Sequence, residues 1–341
     1  MTRTKLWTLL IALCAVLVAA GCGDDEDSDS SAGSGDANTS EAAPEETAKV
    51  ALLMNSPINS PGFGSSFKPA ADELESQLGD DFTLADNVQP ARYESTATQL
   101  AQRGNELVIF NSAVFTETAL RVAAKFPDIQ FVLINGGVNK APNLSSFAIN
   151  WEQAGYLTGA AGAYATKSNQ IGIIAGTLGG TKLPPIVMLN AGFKKAVTEL
   201  NPDATVTITY TQSFADPAGS AAAAQAQFDK GIDVVWADTD AGDSGIFKTA
   251  AREGQKVIGY GSDQSSLAPE ATITSTLVNY SDIILAAFKQ FQEGTLKQEV
   301  NTLDIDSGAF ELAPIENLDE DAIAKIEDAV AKVKSGELGA K

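Results

Sequence analysis

Short apolar segments with the composition of buried β-strands alternate with helix-like segments from Lys49 onward. Lys49–Met54, Leu107–Phe110 and Gln130–Ile134 are almost continuously apolar, and helix-like segments such as Thr116–Lys125 separate them. A strand that is apolar on both faces is typical of a parallel sheet that helices cover on both sides. This alternation therefore predicts an α/β fold with a doubly wound parallel sheet.

The same alternation begins again in the second half of the chain, where Gln170–Ile174 and Asp233–Trp236 are strand-like. Two α/β halves in one chain predict two lobes joined by a hinge. Ligands of open α/β sheets bind beyond the carboxyl ends of the strands, so two such edges facing each other form a cleft that closes on a ligand. The predicted lobes are residues 49–152 with about 278–298, and residues 153–277 with about 299–341.

Polar and aromatic side chains follow the predicted strands, where such a cleft binds its ligand. A small-molecule site typically combines a few fixed hydrogen-bonding groups with apolar and aromatic walls. Asn and Asp after a strand also serve as turn formers and helix caps, and a Trp also fills a core, so each position keeps a structural alternative. We expect Phe63→Ala and Trp236→Ala to weaken binding without unfolding the protein. The predicted ligand contacts are Asn55, Ser60, Phe63, Ser112, Asn135, Asn150, Trp151, Trp236, Asp238, Asp240, Tyr260 and Asp263.

Two local patterns suggest other ligands but do not fit them. Gly176–Gly180 lies between a strand and a helix, as a phosphate-binding loop does, yet it lacks both the GK[ST] sequence and the GxGxxG spacing. Asp238, Asp240 and Asp243 suggest calcium, but the Gly and the Glu that an EF-hand loop needs at fixed positions are missing. We therefore expect Gly176–Gly180 to be a cleft or hinge loop, and we expect no metal site and no cofactor.

The first residues have the features of an export signal. Arg3 and Lys5 precede the apolar run Leu6–Ala20, and small residues lead to Cys22. The run is shorter than the about 20 residues of a transmembrane helix, whereas its positive start and small residues are typical of a signal peptide. The small residues before Cys22 resemble a bacterial lipobox. This resemblance implies a lipoprotein signal peptide over residues 1–21 and a lipidated Cys22; the alternative is an ordinary signal peptide with a cysteine nearby by chance.

Residues 22–48 are acidic and polar and contain no Lys or Arg. Such a segment has too little apolar surface to offset its ordering entropy, so we expect a disordered tether. Signal, lipid and tether together predict a protein at the outer face of the cytoplasmic membrane or in the periplasm. Its membrane contact is expected to run through the lipid only.

Composition excludes several classes of function. The chain has no histidine, which removes Ser-His-Asp and Cys-His triads and His-based zinc sites. It has 44 acidic against 23 basic residues, a formal net charge of −21. Nucleic-acid binding needs a basic surface, so nucleic acid is not an expected partner. A binding protein is favoured over an enzyme.

Short motifs along the body resemble one protein family. They include Ala124–Phe131, Gln153–Gly159, Ser213–Pro217 and Val257–Gln264, and their order and spacing agree along the whole body. Through them the chain resembles the basic membrane protein family of ABC-transporter substrate-binding lipoproteins, whose best-known members bind purine nucleosides. The resemblance implies a type I periplasmic-binding-protein fold, binding without catalysis and an ABC permease as the partner.

Several positions that contact the ligand in that family differ here. Ser60–Gly64 matches the first-loop motif of the family and retains only Phe63. Leu189 matches a stacking Phe, Gly261 an Asp that holds ribose hydroxyls, and Asn279 a Lys. We therefore expect a small solute such as a nucleoside, a nucleobase or a similar heterocycle. A non-nucleoside metabolite is the alternative.

The favoured function is a transport receptor that captures this solute by lobe closure and delivers it to the permease. A sensor lipoprotein that presents a bound ligand to a signalling partner would use the same scaffold. A lipid-anchored enzyme would instead turn a ligand over. A transcription factor with this core is disfavoured by the signal, by the acidic charge and by the lack of an N-terminal helix-turn-helix.

Overall fold

The computed structural model describes residues 48–60, 62–140 and 142–339. The predicted signal peptide, the lipidated Cys22 and all of the acidic tether except Ala48 lie outside the described residues. Within the described part of the chain, no helix is both long enough and apolar enough to cross a membrane.

The first lobe is built on a parallel sheet with helices on both faces. In spatial order its strands are β11 (Val300–Leu303), β5 (Leu144–Ile149), β4 (Gln130–Ile134), β3 (Leu107–Phe110), β1 (Val50–Leu53) and β2 (Phe82–Ala85). Its helices are α1 (Lys68–Leu78), α2 (Tyr93–Gln102), α3 (Thr116–Lys125) and α8 (Tyr280–Gln292).

The central strand β1 shows why its sequence is continuously apolar. Val50 and Leu52 belong to the core formed with α1 and α8, and Ala51 and Leu53 belong to the core formed with α2 and α3. Successive side chains of a strand point to opposite faces, so a strand covered on both sides needs apolar residues at every position. All four residues are completely buried.

The second lobe repeats this plan with one antiparallel edge strand, β12. In spatial order its strands are β12 (Phe310–Leu312), β10 (Thr272–Val278), β9 (Lys256–Gly261), β8 (Val234–Asp238), β6 (Gln170–Ala175) and β7 (Thr205–Tyr210). Its helices are α4 (Trp151–Ala165), α5 (Pro184–Leu200), α6 (Pro217–Phe228), α7 (Asp243–Glu253) and α9 (Glu320–Lys334). The predicted class, two doubly wound parallel-sheet lobes, is confirmed.

Helices α4 and α5 pack with their backbones in near contact. A Cβ atom at Gly155 would collide with the backbone of Leu189, and a Cβ atom at Gly192 would collide with the backbone of Glu152. The small residues of α4 therefore remove side chains at the helix crossing. This close approach fixes the position of Trp151, the first residue of α4, which follows β5.

The chain passes from lobe to lobe after β5, after β10 and after β11. Val300–Leu303 pairs with β5 in the first sheet, whereas the sequence prediction assigned residues from about 299 onward to the second lobe. The sequence prediction also lacked β11 and β12. Both strands lie at sheet edges and are only partly buried, so they carry no continuous apolar run.

Candidate functional site

A cavity of about 280 Å³ lies where the carboxyl ends of the two sheets face each other. Its lining comes from the segments after β1, β2, β3 and β4 in the first lobe and from the ends of β6, β7, β8 and β9 in the second. Both lobes therefore contribute to it. Its volume lies near the lower end of the range of about 300–1,000 Å³ that is usual for small-molecule sites, which fits a small ligand.

Eight of the twelve predicted contacts line this cavity: Asn55, Phe63, Ser112, Asn135, Trp151, Asp238, Asp240 and Tyr260. They meet because each of them lies in the last two residues of a strand or in the segment that follows one, and parallel strands end at the same edge of a sheet. Their contact with a ligand stays a prediction.

Asn150 and Asp263 lie outside the lining and close local turns. Asn150 Oδ1 accepts a hydrogen bond from the backbone N of Gln153 at 3.2 Å and so caps α4. Asp263 is exposed, and its Oδ1 accepts a hydrogen bond from the backbone N of Ser265 at 2.9 Å. These are the cap and turn roles that the sequence kept open for residues of this type.

Trp236 lies inside β8 with no exposed surface and outside the cavity lining. Its ring stacks on Phe193 of α5, with centroids 5.3 Å apart and an interplanar angle of 6°. Trp236 comes two residues before the end of the strand, so its side chain is held within the sheet rather than beyond it. It also supports Tyr260, whose ring centroid lies 6.3 Å away and which does line the cavity.

Aromatic rings form the wall of the cavity near the hinge. Phe63 meets Tyr280 edge to face at 5.3 Å between centroids, and Trp151 lies 6.4 Å from Tyr280. The sequence analysis missed Tyr280, although it follows β10 by two residues and the same strand-end signal applies to it. Phe214, the fourth residue after β7, also lines the cavity and was not among the predicted contacts.

Hydroxyl and amide groups line the cavity together with these rings. The hydroxyls of Tyr260 and Tyr280 lie 3.2 Å apart, and Asn135 lines the cavity with them. Burial raises the pKa of both tyrosines, so their hydroxyl groups stay protonated and neutral. Asn135 Oδ1 and Asn55 Oδ1 are buried without a hydrogen-bond partner among the described residues.

Three acidic side chains lie on the second-lobe side of the cavity. Asp238 and Asp240 line it, and Asp243 is buried beside them. Asp243 accepts hydrogen bonds from Thr239 N at 2.7 Å and Gln264 Nε2 at 3.0 Å, whereas Asp238 Oδ2 is buried with no partner in the described part of the chain. Burial raises the pKa of Asp243 to about 6 and that of Asp240 to about 7. Burial and the nearby charges of Asp243 and Asp240 raise the pKa of Asp238 well above its ordinary value.

The loop after β1 in the first lobe forms hydrogen bonds with the second lobe beside the cavity. Ser60 Oγ donates to Asp240 Oδ1 at 3.0 Å, and the backbone N of Gly64 lies 3.4 Å from the same oxygen. The hydroxyls of Ser65 and Ser262 lie 3.1 Å apart. Ser60, a predicted ligand contact, therefore lies outside the lining and bonds a residue that is in it. We call this set of bonds the interlobe contact.

At three positions where this chain departs from the family pattern, Leu189, Asn279 and Gly261, the neighbouring residues fit the residue that is present. Leu189 is completely buried against α4, and Asn279 Nδ2 donates to the backbone O of Gly308 at 2.6 Å. Gly261 has a positive φ of +88°, and a Cβ atom there would lie 2.7 Å from the carbonyl carbon of Gly62. An Asp at position 261 therefore has no room while the lobes are in contact.

The described part of the chain offers no metal site. Over residues 48–60, 62–140 and 142–339, no group of three or more His, Cys, Asp or Glu has an arrangement that could hold a metal ion. The loop Gly176–Gly180 places Thr177, Leu178 and Gly179 in the cavity wall, as expected for a cleft loop. The cavity therefore offers a ligand an enclosed shape, aromatic surface and hydrogen-bonding groups.

Comparison with known proteins finds relatives that bind small molecules. The family model described as "ABC transporter substrate-binding protein PnrA-like" matches residues 47–341. A purine-binding protein of Brucella abortus (strain 2308) is 29% identical over 297 residues, covering 86% of this chain and 83% of that protein. An ABC transporter nucleoside-binding protein of Lactococcus lactis is 26% identical over 349 residues, covering 95% of this chain and 94% of that protein.

Solved structures match the fold. A solute-binding protein of an ABC transporter system from Aeropyrum pernix K1 superposes with a TM-score of 0.76 at 20% identity, covering 85% of this chain and 92% of that chain. A likeness at this identity concerns the fold alone. It confirms the type I periplasmic-binding-protein fold that the sequence resemblance implied.

Proposed function

The chain belongs to the family of PnrA-like ABC transporter substrate-binding proteins, and from that premise we propose that it captures a small heterocyclic solute for an ABC importer. The solute is of nucleoside or nucleobase size and chemistry. The permease subunits of the importer are the protein partner, and the protein acts by binding alone.

The cavity between the lobes is the observation that carries this proposal. It lies at the carboxyl ends of both sheets, where ligands of open α/β folds bind. Its aromatic wall of Phe63, Trp151 and Tyr280 suits a planar ring, and its buried oxygens on Asn55 and Asn135 suit the N–H groups of a heterocycle. The relatives that bind purines and nucleosides support the same class of ligand.

Lobe closure is the proposed mechanism of capture. The interlobe contact bridges the lobes through the hydroxyl of Ser60 and the carboxylate of Asp240, which lines the cavity. Opening the hinge would break these few polar bonds and expose the aromatic wall to solvent. Binding of a solute to residues of both lobes would favour the closed state, because only that state makes both sets of contacts. The permease would then recognise the closed form.

The location of the protein is a further part of the proposal. Lipidation at Cys22 would hold the protein at the outer face of the cytoplasmic membrane or in the periplasm, with residues 22–48 as the tether. The acidic charge of the chain does not favour binding to anionic lipid surfaces, so the lipid would be the attachment.

A thermal-shift screen of the purified protein against nucleosides, free bases, sugars and amino acids tests the ligand class. A ligand at about 100 times its dissociation constant adds roughly 2.7 kcal/mol to the free energy of unfolding, which raises the melting temperature measurably. We expect a shift with nucleosides or bases that is lost in Phe63→Ala and kept in Phe291→Ala, a half-buried Phe outside the cavity. Shifts with sugars or amino acids only would refute the proposed ligand class.

A further inference from the structure

The charge of the cavity wall specifies the ligand more closely. Among the described lining residues, Asp238 and Asp240 are acidic and none is Lys or Arg. Neither Asp takes part in an ion pair within the described part of the chain. We propose that the ligand is an organic cation whose positively charged nitrogen is held against the Asp238 carboxylate. This inference rests on the proposed capture of a small heterocycle and specifies that the heterocycle carries a positive charge.

Asp238 differs from its two acidic neighbours in having no partner for one oxygen. Asp240 is bonded by Ser60, and Asp243 by Thr239 and Gln264. Asp238 is only 2% exposed, lines the cavity, and its Oδ2 has no hydrogen-bond partner among the described residues. A buried carboxylate without a partner destabilises a fold, because its lost hydration is not replaced. A cationic ligand would take the place of the water that the carboxylate has lost.

The aromatic wall supplies the rest of a cation site. Phe63, Trp151, Tyr260 and Tyr280 all line the cavity together with Asp238. Aromatic faces attract positive charge, most strongly where water is excluded. The Tyr260 and Tyr280 hydroxyls hydrogen-bond each other, and Phe63, which is only partly buried, is the most exposed of these four rings. Carboxylate and rings together favour a flat cation over a neutral ring of the same shape.

The same wall disfavours other charged ligands. A phosphate or carboxylate group would enter next to Asp238 and Asp240 with no basic lining residue to neutralise it. A metal ion would need several ligating side chains, and the residues 48–60, 62–140 and 142–339 contain no such group. An organic cation can compensate the Asp238 carboxylate with a single N–H hydrogen bond or with a single positive charge placed close to it.

Two pairs of probes that differ in charge test the inference by isothermal titration calorimetry at neutral pH. The first pair is 1-methyladenosine, which is protonated at neutral pH, and its neutral isomer N6-methyladenosine. The second pair lacks ribose and consists of the 1-methylnicotinamide cation and neutral nicotinamide. We expect the cation of at least one pair to bind at least about tenfold more tightly than its neutral partner.

The variant Asp238→Asn keeps the shape of the side chain and removes its charge. It is expected to lose the preference for the cation, and Asp203→Asn, the same change on an exposed turn, is expected to keep it. Neutral probes that bind as well as cations, or a preference that survives in Asp238→Asn, would overturn the inference while leaving capture of a solute intact.

A measurement without ligand separates this inference from the proposed function. Asp238→Asn relieves a buried unpartnered carboxylate, so the melting temperature of the ligand-free protein is expected to rise, whereas Asp203→Asn leaves it unchanged. Failure of all four probes to bind would count against the proposed ligand class. The free-protein measurement would then decide the role of Asp238, because a lower melting temperature would show a structural acceptor and overturn the inference.

Discussion

Gly261 is the position at which a single methyl group tests the closed arrangement of the lobes. It ends β9 in the second lobe with a φ of +88°, and it faces the loop after β1 in the first lobe. A Cβ atom at Gly261 would lie 2.7 Å from the carbonyl carbon of Gly62 and 2.8 Å from the backbone N of Phe63. Ordinary contact begins at 3.4 Å, so Gly261→Ala requires the two backbones to separate by about 0.7 Å.

The penalty of Gly261→Ala has two parts. A residue with a Cβ atom at positive φ costs about 1–2 kcal/mol in any state of the protein. Overlap with the opposite backbone adds about 1–3 kcal/mol, but only while the lobes are in contact, because opening the hinge relieves it. The second part therefore acts on ligand binding and corresponds to a roughly 5- to 150-fold loss of affinity.

Titration calorimetry with a ligand from the thermal-shift screen measures the loss of affinity. Urea unfolding measures the cost of placing a Cβ atom at positive φ. Gly254→Ala is the matched control, because Gly254 also has a positive φ, of +66°, but nothing lies within 4 Å of a Cβ atom there. Both variants are expected to lose stability, and only Gly261→Ala is expected to lose affinity. Equal affinity of Gly261→Ala and the wild-type protein would refute the idea that the bound lobes approach each other at Gly62 and Gly261.

Three further outcomes follow from the structure. Trp236→Ala leaves a cavity beside Phe193 and is expected to lower the free energy of unfolding by about 3–5 kcal/mol in urea; weaker binding at unchanged stability would contradict its place in the core. Burial raises the folded-state pKa of Asp240 to about 7 and of Asp243 to about 6, so the folded protein binds more protons than the unfolded chain above about pH 4. The free energy of unfolding is therefore expected to fall as the pH rises towards about 7, and urea titrations that show it rising would contradict this. Cys22→Ser is expected to move the protein from the membrane to the soluble fraction of cells, and an unchanged distribution would argue against lipidation.

The strands at the centre of each sheet could be predicted because burial on both faces leaves a local record in the sequence. β1 and β3 are continuous apolar runs, and β4 and β8 are apolar except for one terminal residue each. β11 left no such record, since it lies at a sheet edge, is only partly buried, and has the two polar residues Asn301 and Thr302 at its centre. Its place in the first sheet depends on pairing with Leu144–Ile149, which is distant in the chain.

The rule that ligand sites follow strand ends located most of the candidate site. Asp238, the last residue of β8, and Tyr260, one residue before the end of β9, both line the cavity, and their contact with a ligand stays a prediction. The rule could not decide the direction of a side chain, which is why Asn150 turned out to cap a helix and Trp236 to stack on Phe193. Whether a side chain caps a helix, packs in the core or lines the cavity depends on neighbouring residues that are distant in the sequence.

The sequence by itself determined the α/β class, the two lobes and the sheet edge at which the cavity lies, because hydrophobic periodicity and strand ends are local properties. The tertiary structure decided which groups meet across the cleft. Ser60 bonds Asp240 from 180 positions away, and Gly62 lies against Gly261 so closely that neither chain segment leaves room for a side chain. Such pairs are fixed by the packing of two lobes against each other, and packing depends on residues from the whole chain.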